Sequence, residues 1–278
     1  MKSIELVIPK VKLSNSEAYL AQYINQNPEI FITEKINDIA KKANVSTSTI
    51  TRLSKKLGYQ SLKDFQLEIS NKHNFAKQNY DFIDETNTNA IINNLKLYHS
   101  YSLNETFDDL DSKEIDKLVA KMKVANKILL YGVGTSYMAC RELANNLEKI
   151  GMDIILNTNY HQQLLHFAKL DQNSMVLLIS KSGMSKEIQF LIQKSKENNI
   201  QCGLITSSLS FKNVDKVDYL LNFKTYEDNQ KLTSISCKLS QLVVVDLIFM
   251  ELFKTNIEQN AKNLEIGYDL IKEWNSTK

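Results

Sequence analysis

This 278-residue chain has few cysteines, few arginines and no long apolar run. Its three cysteines, Cys140, Cys202 and Cys237, are odd in number, widely scattered and without CxxC or Cys/His ligand spacing. That pattern argues for a reducing compartment and against structural disulfides or zinc. The most apolar run, Leu239 to Phe253, is interrupted by Asp246 and Glu251 and is too short to span a bilayer. The opening MKSIELVIPK is too short and too charged for the apolar stretch of a signal peptide. A cytoplasmic protein with no membrane partner is therefore expected. No internal repeat or low-complexity segment is visible. Of 34 basic residues only Arg52 and Arg141 are arginines. Heavy use of Lys, Asn and Ile accompanies this scarcity, as codon bias in an AT-rich genome would produce.

The charge that is present is unevenly placed. Residues 1–75 carry 11 Lys/Arg against 7 Asp/Glu, a net +4, and the remainder sums to −2. Within the basic part lies INDIAKKANVSTSTITRLSKKLGYQSLKDF, Ile36 to Phe65, which reads as two short helices across a tight turn. Ile39, Ala40, Ala43, Val45, Ile50 and Leu53 fall where a helix-turn-helix needs small and apolar contacts. Ser46, Thr47, Ser48, Thr49, Thr51, Arg52, Lys55 and Lys56 are left facing outward. Short hydroxyl donors and cations on one helix are the chemistry of a helix laid in a DNA major groove. Ser46 suits an N-cap and Gly58 a C-terminal stop. Asn44 stands in the turn, where a left-handed backbone is needed and Asn tolerates it. Arg52 is the residue expected to read a base, because a guanidinium binds two acceptors at once and an ammonium does not.

Along the rest of the chain, Ser14 to Asn27 reads as a first helix with a Ser14/Glu17 capping box. Pro28 begins another short segment. The helical pattern from Leu62 runs through Ile69, and the polar stretch from Ser70 to Asn89 lacks periodicity and is expected to be a linker. Ala90 to Val124 is helical again. From Asn126 short apolar strands, 127–131, 153–157, 175–180, 202–206 and 218–223, alternate with amphipathic helices. Near-continuous apolar strands between helices indicate a parallel sheet covered on both faces.

In such a sheet ligands bind at the carboxyl ends of the strands. Two strand ends carry small, hydroxyl-rich turns: Gly132-Val133-Gly134-Thr135-Ser136 and Ser180-Lys181-Ser182-Gly183-Met184-Ser185. Glycines admit a close ligand, helix N-termini favour an anion, and hydroxyls add donors. The pair points to a phosphate cradle. A dinucleotide site fits poorly, since Tyr137 replaces the third Gly of GxGxxG and the second strand ends in Asn157 rather than an acid. GxxxxGK[ST], the triphosphate motif, is absent. No cofactor and no metal are expected. His161 and His166 are wrongly spaced for a metal face, and His73 and His99 read as structural or exposed.

LSNSEAYLAQYINQNPEIF…INDIAKKANVSTSTITRLSKKLGYQSLKDF followed by GVGTS and SKSGMSKE resembles the RpiR family of bacterial transcriptional regulators. The resemblance spans about Leu13 to Phe253 and implies an all-α helix-turn-helix domain joined to an α/β sugar isomerase (SIS) domain. The implied SIS fold is a flavodoxin-like α/β/α sandwich on a five-stranded parallel sheet. Expected bounds are 1–75 for the head, 76–108 for linker and connecting helix, and 109–278 for the SIS domain. The resemblance further implies a sugar phosphate held by Gly134, Thr135 and Ser136 on the first turn. Ser180, Ser182, Gly183 and Ser185 would hold it on the second, Ser185 standing where the family often has Thr. One or two of His161, Lys181 and Glu187 would touch sugar hydroxyls. Expected partners are double-stranded operator DNA, the sugar phosphate and further copies of the chain, as a homodimer or homotetramer. Isomerases of this fold need a base near the sugar carbons. Glu187, His161, His166, Glu227 and Asp228 are available, but none has an identifying spacing, and a fused DNA head makes catalysis unnecessary. A non-catalytic sensor is expected.

Overall fold

The computed structural model describes residues 6, 7, 12–77, 87–209, 211–225 and 235–277. The chain forms two compact units, Met1–Leu97 and Tyr98–Lys278.

The first unit holds α1 (Asn15–Gln26), α2 (Pro28–Thr33), α3 (Ile36–Lys42), α4 (Thr47–Lys56), α5 (Leu62–Lys77) and the start of α6 (Thr88–Asp109). Its core is built from one stripe of each helix: Leu20, Ile24, Phe31, Ile39, Ile50, Leu53, Phe65 and Ile69 are all essentially inaccessible. Burial of each such side chain contributes about 1.5–3 kcal/mol. Phe65 meets Phe31 edge-on with ring centroids 4.8 Å apart and stacks on Tyr59 at 4.6 Å. The turn between α3 and α4 is closed as its sequence requires. Ala43 is fully buried, Asn44 takes the left-handed conformation at φ 51°, and the Val45 amide donates to the Ala40 carbonyl at 3.0 Å. The Ser46 hydroxyl caps α4 by accepting from the Thr49 amide at 3.1 Å. Gly58, at φ 92°, follows α4.

The second unit continues α6 and adds α7 (Ser112–Val124), β1 (Ile128–Gly132), α8 (Thr135–Lys149), β2 (Ile154–Ile155), α9 (Tyr160–Phe167), β3 (Met175–Ile179), α10 (Lys186–Glu197), β4 (Gln201–Thr206), β5 (Tyr219–Asn222), α11 (Cys237–Lys254) and α12 (Ile257–Ser276). The five strands are parallel in the order β2-β1-β3-β4-β5, the flavodoxin-like arrangement. Alternate strand residues face opposite layers. Ile128, Leu130, Met175 and Leu177 pack under α7, α8 and α11, whereas Leu129, Tyr131, Val176 and Leu178 pack with α9 and α10. The result is the expected α/β/α sandwich. Cys140, Cys202 and Cys237 are buried free thiols. Burial pushes Cys202 up to about 12, and Cys140 is raised by the same cause, so neither is a ready nucleophile.

Several boundaries differ from the sequence expectation. Helix α5 runs to Lys77, eight residues into the stretch expected as linker, and residues 78–86 lie outside those described. The helical run from Ala90 to Val124 is broken at Leu110–Asp111, where the Asp111 carboxylate accepts from the Lys113 amide and caps α7. The two compact units part inside α6, between Leu97 and Tyr98, so the second half of that helix falls in the second unit. Among the described residues no helix is long and apolar enough to cross a membrane.

One buried charge ties the head together. Glu17 is only 5 % exposed; its carboxylate accepts from the Ser14 amide at 2.8 Å and pairs with the Lys56 ammonium at 2.9 Å. The Ser14 amide first, and Lys56 next, hold its pKa down from 4.5 to about 2. A depressed acid stabilises the fold above its unfolded value and loses that contribution as pH falls through the folded value. Glu17→Gln should therefore lower the melting temperature of the head at neutral pH. The gap to the natural chain should narrow as the pH is taken from 4.5 toward 2. A gap that persists unchanged in acid would show that the loss comes from packing and not from charge.

Candidate functional site

Helix α4 presents Thr47, Ser48, Thr51, Arg52 and Lys55 to solvent on one face, and with Ile36 and Asn37 at the start of α3 they line one shallow groove. Five of the eight residues expected to face DNA thus share a surface. Thr49 departs from the expectation. It is 5 % exposed and its hydroxyl lies 2.9 Å from that of Ser46, because its position beside Ile50 falls on the core side of the helical wheel. Ser46 is exposed, but its hydroxyl is engaged in the cap and lies 2.6 Å from that of Ser48. Lys56 is drawn to Glu17 on α1, away from the groove residues in role if not in sequence. Thr51 back-bonds to the Thr47 carbonyl at 3.0 Å, which fixes its rotamer and leaves its oxygen able to accept.

The second site arises at the sheet edge. β1 and β3 are neighbours, with Gly132 paired to Ile179, and the helices that follow them go to opposite faces, α8 to one and α10 to the other. Ligands of doubly wound sheets sit where the winding reverses, and both hydroxyl-rich turns leave the sheet there. At the first, the chain folds back so tightly that a Cβ on Gly132 would lie 2.9 Å from the Ser136 carbonyl group. Thr135 is half-buried and Gly134 exposed at the start of α8. Ser136 is tied inward: it is 5 % exposed, and its hydroxyl accepts from Gln241 Nε2 of α11 at 2.9 Å.

At the second turn each serine oxygen accepts from a backbone amide. Ser180 takes that of Gly183 at 3.1 Å, Ser182 that of Met184 at 3.2 Å, and Ser185, as N-cap of α10, that of Ile188 at 3.4 Å. A hydroxyl that accepts in this way still has its hydrogen to donate, and phosphate oxygens accept only. Gly183 adopts φ 66° with the Phe211 ring 3.1 Å from where a Cβ would sit, so any side chain there would be strained and would press on that ring. The Lys181 carbonyl accepts from the Ser207 amide and hydroxyl and from the Thr206 hydroxyl, at 3.0, 2.7 and 3.1 Å. The end of β4 thereby clamps the turn.

His161 lies exposed in the first turn of α9, which leaves the carboxyl side of β2. Its neighbour Tyr160 is the better connected residue. The Tyr160 hydroxyl reaches the Glu187 carbonyl at 3.5 Å and its ring lies 5.4 Å from that of Tyr131. Burial, then Tyr131 and Glu187, push it up to about 12, so it stays protonated as a donor. Tyr131, Tyr160 and Gln241 went unnoticed in the sequence. Only Gln241 left a signal there, as an amide inside the most apolar stretch of the chain. Glu227 and Asp228 lie outside the described residues. Among the described residues no group of His, Cys, Asp and Glu could hold a metal ion.

A helical head with a hydroxyl-and-cation face, joined to a doubly wound domain with two hydroxyl-rich turns, is the architecture of a helix-turn-helix regulator with a second, α/β domain. Family comparison makes this specific. The helix-turn-helix domain of the rpiR family matches residues 5–76 and the SIS domain matches residues 121–251. The chain belongs to the RpiR family of transcriptional regulators. HTH-type transcriptional regulators of Clostridium perfringens and Haemophilus influenzae are similar along nearly the whole length. The first is 27% identical over 254 residues, covering 90% of this chain and 91% of its own. The second is 28% identical over 267 residues, covering 94% and 93%. The Vibrio vulnificus NanR protein, solved in complex with ManNAc-6P, shares the fold at a TM-score of 0.61 with 20% identity over 94% of each chain.

Replacing the one arginine on the recognition face discriminates its roles. Arg52→Ala should weaken specific operator binding by about 1–3 kcal/mol while changing random-sequence binding little, if the guanidinium reads a base. Equal losses on both DNAs, measured by fluorescence anisotropy at fixed salt, would make it a phosphate contact.

Proposed function

We propose that a phosphorylated sugar bound between the two turns changes the affinity of this regulator for its operator. The observation that carries this reading is the pairing of two anion-type turns at the single reversal point of the sheet, with the oxygens of Ser180, Ser182 and Ser185 engaged by the backbone and their hydrogens left to give. The phosphate is placed on Gly134, Thr135, Ser180, Ser182, Gly183 and Ser185, with Ser136 holding the first turn through Gln241. The sugar hydroxyls then lie toward Lys181, Glu187 and His161, with Tyr160 beside Glu187. On the head, Thr47, Ser48, Thr51, Arg52 and Lys55 contact DNA.

The domain is read as a sensor and not an isomerase, so aldose and ketose phosphates should show no turnover. ManNAc-6P, held by NanR, is the natural first ligand to try. A ligand that binds only the folded protein stabilises it by about 2.7 kcal/mol at roughly a hundredfold excess over Kd.

A thermal-shift panel of sugar phosphates against the same sugars without phosphate tests the reading. One phosphorylated sugar should raise the melting temperature by several degrees and change operator affinity in the same titration. Ser180→Ala with Ser182→Ala should remove that shift. A panel without any shift, or a shift equal for phosphorylated and free sugars, would overturn the reading.

A further inference from the structure

Helix α12 packs on the second unit only through its first half. Asn260 is buried and donates to the Phe253 carbonyl at 2.9 Å, and Asn263 donates to the Ile150 carbonyl at 2.9 Å. Beyond Leu264 every described residue of the helix except Gly267 is exposed. Yet the apolar arc does not stop there. Ile257, Leu264 and Ile271 recur at heptad spacing, and Tyr268 and Trp274 flank that row, so the stripe continues onto the free half. Tyr268 is 62 % exposed, Ile271 56 % and Trp274 75 %. A stripe of this size on one helix marks an interface.

Two independent features say what covers it. Gly267 sits in mid-helix, where glycine costs helix stability, and apart from its own stretch of helix no described residue comes within 4 Å of where its Cβ would be. No contact among the described residues calls for a glycine there, and its bare backbone leaves room for another helix to approach. The second feature is charge. Glu265 and Lys272 lie on the same edge of the arc, equally spaced to either side of the Tyr268–Asp269 bond. When a helix packs antiparallel on its own copy, like edges face each other. A two-fold axis near Tyr268 would set each Glu265 opposite the Lys272 of the other copy, and would cross the backbones near Gly267. The motif is self-complementary only in that arrangement.

We propose that the second half of α12 is an antiparallel two-fold interface between two copies of this chain, crossing at Gly267–Tyr268. Each aromatic brings about 150–250 Å² of side chain. With Leu270 and Ile271 and doubled by symmetry, the contact reaches about the 1,000 Å² that a specific interface needs. A helix-turn-helix reader of paired half-sites requires such pairing. The interface stands apart from the ligand turns and does not depend on the sugar-phosphate reading.

Sedimentation velocity of the full chain, without DNA or ligand, tests it. The natural chain should sediment as an assembly, and Gly267→Leu and Ile271→Asp should each lower its mass. Ile271 is exposed in one copy and a side chain at Gly267 meets open space there, so the circular-dichroism melt of the lower-mass species should show it folded. Glu265→Lys or Lys272→Glu alone should weaken assembly by about tenfold, by setting like charges together. The double exchange should restore it. A monomeric natural chain, or an assembly whose mass neither Gly267→Leu nor Ile271→Asp lowers, overturns the proposal. A double exchange no better than either single one overturns the antiparallel register.

Discussion

The larger unit depends on one topological constraint, the adjacency of β1 and β3 with their helices sent to opposite faces. Parallel strands must be joined by right-handed crossovers, and a sheet that begins in its middle has to reverse its winding once. At that point the helices diverge, and the backbone amides and small side chains of both turns come off neighbouring strand ends. Gly132 allows the first turn to fold back on β1, and Gly183 allows the second to pass under Phe211. The apolar strands, buried on both faces, are what hold these two turns within reach of one another.

The head obeys a different constraint, that of a small core which must leave one helix face bare. Five helices are fastened on Phe31, Phe65 and the aliphatic residues around them, and polar ties finish the joints. Gln66 donates to the Phe31 and Glu34 carbonyls at 2.8 Å each, closing the end of α2 against α5. Glu17 and Lys56 join α1 to α4. These ties take a cation from the recognition helix. Lys55 is left in the groove while Lys56, one residue on, serves the fold.

Much of this was legible in the sequence because it is local. The Ser46 cap, the left-handed Asn44, the Gly58 stop, the pairing of Glu17 with the Ser14 amide and the apolar strands all follow from residues within a few positions of one another. What escaped is non-local or a matter of helical phase. Thr49 reads as one more hydroxyl in a hydroxyl-rich run until the phase set by Ile50 and Leu53 turns it inward. Ser136 reads as a hydroxyl of the turn alone until Gln241, 105 residues later, donates to its oxygen. Helix α5 outruns its periodicity because polar residues can continue a helix already nucleated by Phe65 and Ile69. The strand ends moved by a residue or two, since pairing partners and not composition decide where a ladder stops.

The way hydroxyl groups are used gives a physical reason why a ligand at this edge would be felt beyond it. In the second turn the oxygen that would donate to a ligand is the same oxygen that holds a backbone amide: Ser180 holds Gly183, and Ser185 holds the first turn of α10. A donor that also accepts is polarised by both partners, so ligand contact strengthens the backbone bond instead of competing with it. In the first turn Ser136 hangs on Gln241, and its neighbour Ser240 lies 3.5 Å from the carbonyl of Ser102 on α6. Any ordering of the turns by a ligand would thus pass into α10 and α11 through bonds that already exist. No hinge or lid is needed for that first step, only a shift in how firmly the same bonds are populated.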